Sequence, residues 1–354
     1  MDGINFDIND ALKHYMSDPF SVPTPEVDNS LLDCENDPES LTNGLINPVL
    51  DEIVDAVAAN PEAITRASHL DSLQFLLKYT SFLPHHALSK VFDLVMSGLA
   101  AEADAIHQEQ ESPDEQDSVA HHKQLLEIYG FLLQWTTAAV ETKAAEKSSS
   151  APVARGRGKG KKSAKDKEET WDSSAQLQSA LDIMCKVLRL KLSKIFMTTS
   201  ERDTFIGLLT RPVYMILESE QRVKATNIRM HAFKVLCIAV KHHGHGYAAQ
   251  ISIVQNLTYF EHLSEPMAEF LHILADTYDY TQLADEVLRE LSNKEFNSND
   301  TRGPKSVSSF MVKLSELSPR LVIKQMTMLA KQLDSEVGST ETLWRRDMGG
   351  KYSS

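Results

Sequence analysis

Paired amphipathic segments recur through the second half of the chain at nearly constant intervals. The first members of four successive pairs begin near residues 176, 223, 264 and 304, which gives intervals of 47, 41 and 40 residues. In the last pair the apolar residues follow the i, i+3, i+4, i+7 spacing of a single helical face; they are Val307, Phe310, Met311, Leu314 and Leu317. Such a hairpin exposes an apolar stripe that it cannot cover by itself, so each pair needs a neighbour.

Stacking one hairpin on the next covers these stripes and builds a continuous core. Two helices in an interval of about 40 to 47 residues are typical of HEAT and armadillo repeats. The pattern therefore predicts an all-α fold, a HEAT- or armadillo-like helical-repeat solenoid. Before the last pair, the predicted helices span 46–59, 70–82, 84–106, 119–147, 176–197, 201–218, 223–243, 247–260, 264–278 and 281–291.

Charge is distributed very unevenly along the chain, whose net charge is -14. Residues 1–150 carry 7 Lys and Arg against 26 Asp and Glu, residues 155–167 carry 7 against 1, and the remainder carries 22 against 23. No apolar run approaches the length of a membrane span, and the acidic start MDGINFDIND is unlike a signal peptide. The three cysteines lie far apart, which fits a reducing cytosolic or nuclear setting.

A change of composition divides the chain. The segment KAAEKSSSAPVARGRGKGKKSAKDKEET, residues 143–170, has almost no large apolar side chain and is predicted to be a disordered basic linker. We expect an acidic helical domain at 1–142, this linker at 143–170, helical repeats at 171–336 and an atypical, disordered tail at 337–354.

The basic string inside this linker is the strongest candidate for a binding segment. Its cations alternate with glycine, which lets the backbone approach a groove closely; they are Arg155, Arg157, Lys159, Lys161 and Lys162. The run RGRGKG resembles a minor-groove DNA-binding arm, although it lacks the proline that normally follows the RGR core. Non-specific contact with duplex DNA is one interpretation, and a nuclear import signal or a plain solubilising linker are the alternatives.

Residues before proline offer further candidates. Thr24 and Ser112 precede proline in polar stretches, where phosphorylation is predicted. Ser318 also precedes proline, but serine is favoured as a helix N-cap and proline at the first helical position, so we interpret Ser318 as a cap.

No catalytic set emerges from the other polar residues, and we expect neither an enzyme nor a small-molecule substrate, cofactor or metal site. His242, His243 and His245 surround Gly244, a natural helix C-cap, and are interpreted as the end of a helix. The pairs His85–His86 and His121–His122 are expected at the surface of first helical turns. Cys185 and Cys237 fall on apolar faces and are predicted to be buried.

Several stretches resemble condensin complex subunit 1, the HEAT-repeat subunit that is not an SMC protein. The most specific is TRGPKSVSSFMVKLSELSPRLVIKQMTMLAKQLDSE at 301–336; WDSSAQLQSALDIMCKVLRLKLSKIF, ERDTFIGLLTRPVYMILE and FDINDALKHY are similar too. Members of that family are several times longer and continue with further repeats. This chain is therefore expected to be the amino-terminal part of a longer protein or a truncated product.

The resemblance implies a non-enzymatic scaffold that binds kleisin and SMC subunits and chromatin during mitotic chromosome condensation and segregation, since the ATPase of that complex resides in the SMC subunits. It implies a location in the nucleus and on mitotic chromosomes, with a cytoplasmic pool, and no membrane association. The alternative is a general HEAT-repeat adaptor in nuclear transport or signalling with no DNA role.

Overall fold

The computed structural model describes residues 47–78, 84–111, 119–149, 173–294, 296 and 300–325. In these ranges every regular element is a helix and there is no strand, so the predicted all-α fold class is confirmed. None of the helices in the same ranges combines the length and the apolar character that a membrane crossing would require.

Thirteen α-helices lie in the described ranges. They are α1 (Asn47–Ala59), α2 (Ala67–Lys78), α3 (His85–Glu111), α4 (Val119–Ser149), α5 (Ser174–Val187), α6 (Thr199–Glu218), α7 (Glu220–Lys224), α8 (Thr226–His243), α9 (Gly246–Tyr259), α10 (Ser264–Thr277), α11 (Gln282–Asn293), α12 (Arg302–Leu317) and α13 (Pro319–Lys324). Short 3-10 helices occupy Pro61–Thr65, Leu192–Lys194 and Glu261–Leu263.

The chain forms two compact units that divide between Pro212 and Val213. In the first unit, α1 and α2 form a hairpin whose members pack against α3 and α4 respectively. The helix α5, which follows the basic segment, packs back against α3. The helices on both sides of that segment therefore belong to one compact unit.

The second unit stacks three hairpins: α8 with α9, α10 with α11, and α12 with α13. First helices contact first helices along the series, and second helices contact second helices, which is the arrangement of helical repeats. Phe233, Phe270 and Phe310 lie on α8, α10 and α12, and each is fully buried. The rings of Phe233 and Phe270 are 5.7 Å apart, so successive hairpins share one apolar core.

Two predictions about helix ends need correction. The helix predicted over 176–197 ends at Val187, and a 3-10 turn follows at Leu192–Lys194. The reason is a tertiary contact: the side-chain oxygen of Gln110 accepts from the backbone N–H of Lys191 at 3.0 Å, and its amide nitrogen donates to the Lys191 carbonyl at 3.4 Å. The Lys191 N–H is thus bonded to a distant side chain, while its carbonyl accepts from Gln110 and also from the Lys194 N–H at 2.9 Å in the 3-10 turn.

Ser318 is the second correction. It stands at the N-cap position of α13, with Pro319 at the first helical position, as predicted. Its hydroxyl, however, makes no capping hydrogen bond and lies 2.7 Å from Nδ1 of His272, 46 residues earlier. Contact with the preceding hairpin has taken the place of the local cap.

Candidate functional site

The residues that the sequence singled out for binding or modification lie outside the described ranges. They are the five cations Arg155, Arg157, Lys159, Lys161 and Lys162, and the phosphorylation candidates Thr24 and Ser112. Their roles remain predictions.

The histidines near residue 243 lie where the sequence placed them. Helix α8 ends at His243, and Gly244 takes the left-handed conformation with φ 69°, which confirms the predicted C-cap. Cys185 and Cys237 are buried, as predicted. Across the part of the chain that the structure describes, no group of three or more potential ligands is arranged to hold a metal ion.

His122 contradicts its predicted place at the surface. It is only 6% exposed, and Nδ1 lies 2.5 Å from Oε1 of Glu102 while Nε2 lies 2.8 Å from Oε2 of Glu109. Both nitrogens face carboxylates, so a doubly protonated imidazolium can donate to each of them. Burial by itself lowers the pKa of His122, but the hydrogen bonds and charges of Glu102 and Glu109 raise it above its usual value. The cluster joins α3 to α4 and is an internal support.

A cationic connector lies between α5 and α6, and sequence reasoning missed it. Between Asp182 and Glu201 the only charged residues are basic: Lys186, Arg189, Lys191 and Lys194. Lys186 pairs with Asp104 at 2.6 Å, whereas the other three side chains are exposed to solvent. The Gln110 amide holds the connector backbone in place at Lys191. The sequence shows this connector as a stretch without acidic residues. It was missed because the apolar residues in the same stretch have helical spacing and favoured the prediction of a helix.

A polar groove opens between the start of α9 and the helix α11. Its volume is about 440 Å³. The residues lining it include Tyr247, Gln250, Tyr280, Glu286, Arg289 and Glu290. Nearby, the Lys241 ammonium lies 5.8 Å from the centre of the Tyr280 ring and donates to the Asp279 carbonyl at 3.3 Å. The groove carries more carboxylates than cations, so it suits a ligand with positive charge.

Comparison with known proteins decides the family. A family model described as the N-terminal part of non-SMC mitotic condensation complex subunit 1 matches residues 85–249. Condensin complex subunit 1 of Schizosaccharomyces pombe is 31% identical over 336 residues, which cover 94% of this chain. The chain belongs to the condensin complex subunit 1 family. The resemblance found in the sequence is thereby confirmed.

Other members of the family show how far the similarity extends. Condensin complex subunit 1 of Saccharomyces cerevisiae is 34% identical over 294 residues, or 81% of this chain, and the human protein is 26% identical over 183 residues, or 51% of this chain. The chain spans about a quarter of the length of its two yeast relatives, 28% and 25% respectively. The matched segment 85–249 runs from α3 into α9 and so includes helices of both compact units.

Proposed function

We propose that this chain is a non-enzymatic scaffold of the condensin complex, located in the nucleus and on mitotic chromosomes with a cytoplasmic pool. It binds the kleisin and SMC subunits and contributes to chromosome condensation and segregation. The observation that carries the proposal is its membership of the condensin complex subunit 1 family along most of its length. The stacked hairpins support it, because repeat proteins act through extended binding surfaces.

DNA contact is the second part of the proposal. The string Arg155 to Lys162 supplies five cations just before α5, and the exposed cations Arg189, Lys191 and Lys194 follow that helix directly. In the sequence, one basic segment therefore precedes α5 and another follows it. Both can neutralise phosphates without reading bases, which predicts a salt-sensitive tether with little sequence preference.

A salt titration with duplex DNA tests the tether. We expect log K of the wild type to fall with log salt with a slope of about -4, because four or five counterions are released. Replacing Arg155, Arg157, Lys159, Lys161 and Lys162 by Ala should flatten this slope, and the triple change Arg189→Ala, Lys191→Ala and Lys194→Ala should weaken binding further. The matched control removes three cations of the second unit, Lys224, Lys305 and Lys313.

The outcomes separate the alternatives. Equal DNA affinities of the wild type and the five-residue variant would remove the tether. If that variant also leaves the nucleus while its DNA affinity is unchanged, the string is an import signal. If neither the DNA affinity nor the nuclear location of the variant changes, the string is a solubilising linker.

Assembly is tested separately with purified subunits. The full chain, mixed with an SMC heterodimer and kleisin, should elute with them in size-exclusion chromatography with light scattering. Separate elution would contradict the scaffold role. The five-residue variant serves as the control, because it should lose DNA affinity and still assemble.

A further inference from the structure

The helix α9 is unusual for a helix at the protein surface. Its sequence GYAAQISIVQNLTY contains no Asp, Glu, Lys, Arg or His. A surface helix normally places charged residues opposite its buried stripe. The buried face of α9 is apolar, as in other amphipathic helices, and includes Ala249, Ile253 and Leu257. The lack of charged residues on the solvent-facing side of α9 therefore indicates a role other than contact with water.

The outward face of α9 is formed by residues four positions apart. Tyr247 is 76% exposed, Ile251 40% and Tyr259 77%, with the exposed Gln255 between the last two. These three are half of the six large apolar side chains that are exposed in the described ranges. Tyrosine combines a large apolar ring with a polar tip and loses little conformational entropy when it is fixed, which is why it is enriched in protein interfaces.

The charged border of this face is acidic. The groove described above begins at Tyr247, and its far wall is α11, which carries Asp285, Glu286 and Glu290 against one cation, Arg289. Asp285 is paired with Lys324, which leaves the two glutamates facing the groove. Two carboxylates and one cation line the groove, and the neighbouring Lys241 is directed at the Tyr280 ring and the Asp279 carbonyl. Because α9 itself has no cation, Glu286 and Glu290 can attract a basic segment.

We propose that the outward face of α9, together with the adjoining groove, binds a short helical segment of another protein that has apolar side chains at helical spacing and a net positive charge. The distance from Tyr247 to Tyr259 along α9 is about 18 Å at 1.5 Å per residue, which matches a partner helix of about 12 residues. The apolar side chains of the partner pack on the two tyrosines and Ile251, and its cations lie next to Glu286 and Glu290. This inference rests on residues of the second unit alone and does not depend on the proposed condensin role.

Selection from random peptides tests this surface while the partner itself is unidentified. A phage library of random peptides of about 12 residues, a length set by the face, is depleted on the variant with Tyr247→Ala and Tyr259→Ala and then panned on the full wild-type chain. Both tyrosines are largely exposed, so the variant should keep the wild-type circular dichroism spectrum and melting temperature. The selected peptides are synthesised and their Kd is measured by fluorescence anisotropy.

The expected peptides have apolar residues at i, i+3 or i+4 and i+7 and an excess of Lys and Arg. Their affinity should fall about tenfold with the two tyrosine changes, as for interface hot spots. It should fall several-fold with Glu286→Gln and Glu290→Gln, and this second loss should disappear at high salt. The matched control removes two exposed methionines elsewhere, Met197→Ala and Met230→Ala, and should leave the Kd unchanged.

Three results would overturn the inference. One is a panning in which no sequence is enriched on the wild type over the tyrosine variant. Another is the enrichment of acidic or wholly polar peptides. The third is a wild-type dimer in light scattering that the tyrosine changes convert to a monomer, because the occupant would then be a second copy of this chain.

Discussion

Arg229 donates from Nε to Oε2 of Glu269 at 2.9 Å, and these residues lie 40 positions apart on the first helices of successive hairpins. Other polar contacts repeat this interval, among them Lys90 with Asp51 at 39 residues and Ser264 with Ser306 at 42. The period read from apolar residues therefore reappears in the polar contacts that join one hairpin to the next. Each interface between hairpins is fixed by polar groups as well as by apolar packing.

Replacement of Arg229 by Met should lower the free energy of unfolding by about 2 kcal/mol, because the change leaves a half-buried carboxylate without its donor. The same guanidinium also donates from Nη1 to the Val223 carbonyl at 2.7 Å, so a second acceptor loses its partner. Urea unfolding followed by circular dichroism measures the effect. The control is Lys224→Met, which breaks a solvent-exposed pair with Glu220 and should have no measurable effect. The absence of a loss in the Arg229→Met variant would show that the contact between hairpins contributes nothing.

The His122 cluster predicts a pH dependence of stability with a definite sign. The folded state binds the proton more tightly than the unfolded state, because the pKa of His122 is raised above 6.5 in the fold. The stabilisation is therefore complete below pH 6.5 and is lost as the pH rises through the higher folded-state value. The wild type should progressively lose its advantage over His122→Gln as the pH rises above 6.5, as measured by urea midpoints. The control is His121→Gln, on an exposed neighbour, and an advantage that grows with pH would contradict the assignment of the imidazolium.

Gly98 lies in a helix at a position where alanine should be destabilising, contrary to its higher helix propensity. A Cβ at this position would lie 2.2 Å from Cζ of Tyr129, whose ring is only 2% exposed and cannot move aside. Gly98→Ala should therefore destabilise the protein by about 1 to 3 kcal/mol through overpacking, although alanine is the better helix former by about 1 kcal/mol. Gly207→Ala is the matched control, because no atom lies within 4 Å of its Cβ and the change should stabilise α6. Stabilisation by both changes, observed in thermal unfolding, would show that the contact between α3 and α4 at Tyr129 is not tight.

Two serines on α12 should respond oppositely to the same mutation. The hydroxyls of Ser306 and Ser264 lie 2.8 Å apart and are buried, and Ser264 also donates to the Glu261 carbonyl, so Ser306 is the donor to Ser264. The hydroxyl of Ser308 is also buried but has no hydrogen-bond partner in the described structure. Ser306→Ala should cost about 1 kcal/mol, whereas Ser308→Ala should be neutral or stabilising. Urea midpoints of the two variants test this, and a larger loss for Ser308→Ala would contradict the assignment.

The fold was predictable because apolar spacing is set locally by the geometry of a helix. The stripe Val307, Phe310, Met311 and Leu314 is buried as predicted, and Gly244 caps α8 as its lack of a Cβ allows. Local patterns could not show which distant residue would form a hydrogen bond with a given backbone group or hydroxyl. The helix predicted to run to residue 197 stops at Val187, and Gln110, 81 residues before Lys191, holds the turn that follows.

The polar residues were harder to predict than the core. His122 follows another histidine in the first turn of a helix, a position typical of the surface, and only the packing of α3 on α4 brings Glu102 and Glu109 to it. Tyr247 and Tyr259 on α9 are largely exposed, and sequence reasoning did not single them out. Whether a side chain at such a position is buried depends on which other helix packs against it. The spacing of residues within one segment does not predict that contact.

Affinity capture from mitotic cells tests whether this chain is a condensin scaffold. The tagged full chain is recovered at moderate salt, and the bound proteins are identified and quantified by mass spectrometry. We predict recovery of the SMC and kleisin subunits in amounts comparable to the tagged chain. Recovery of the tagged chain without either of them would contradict the claim.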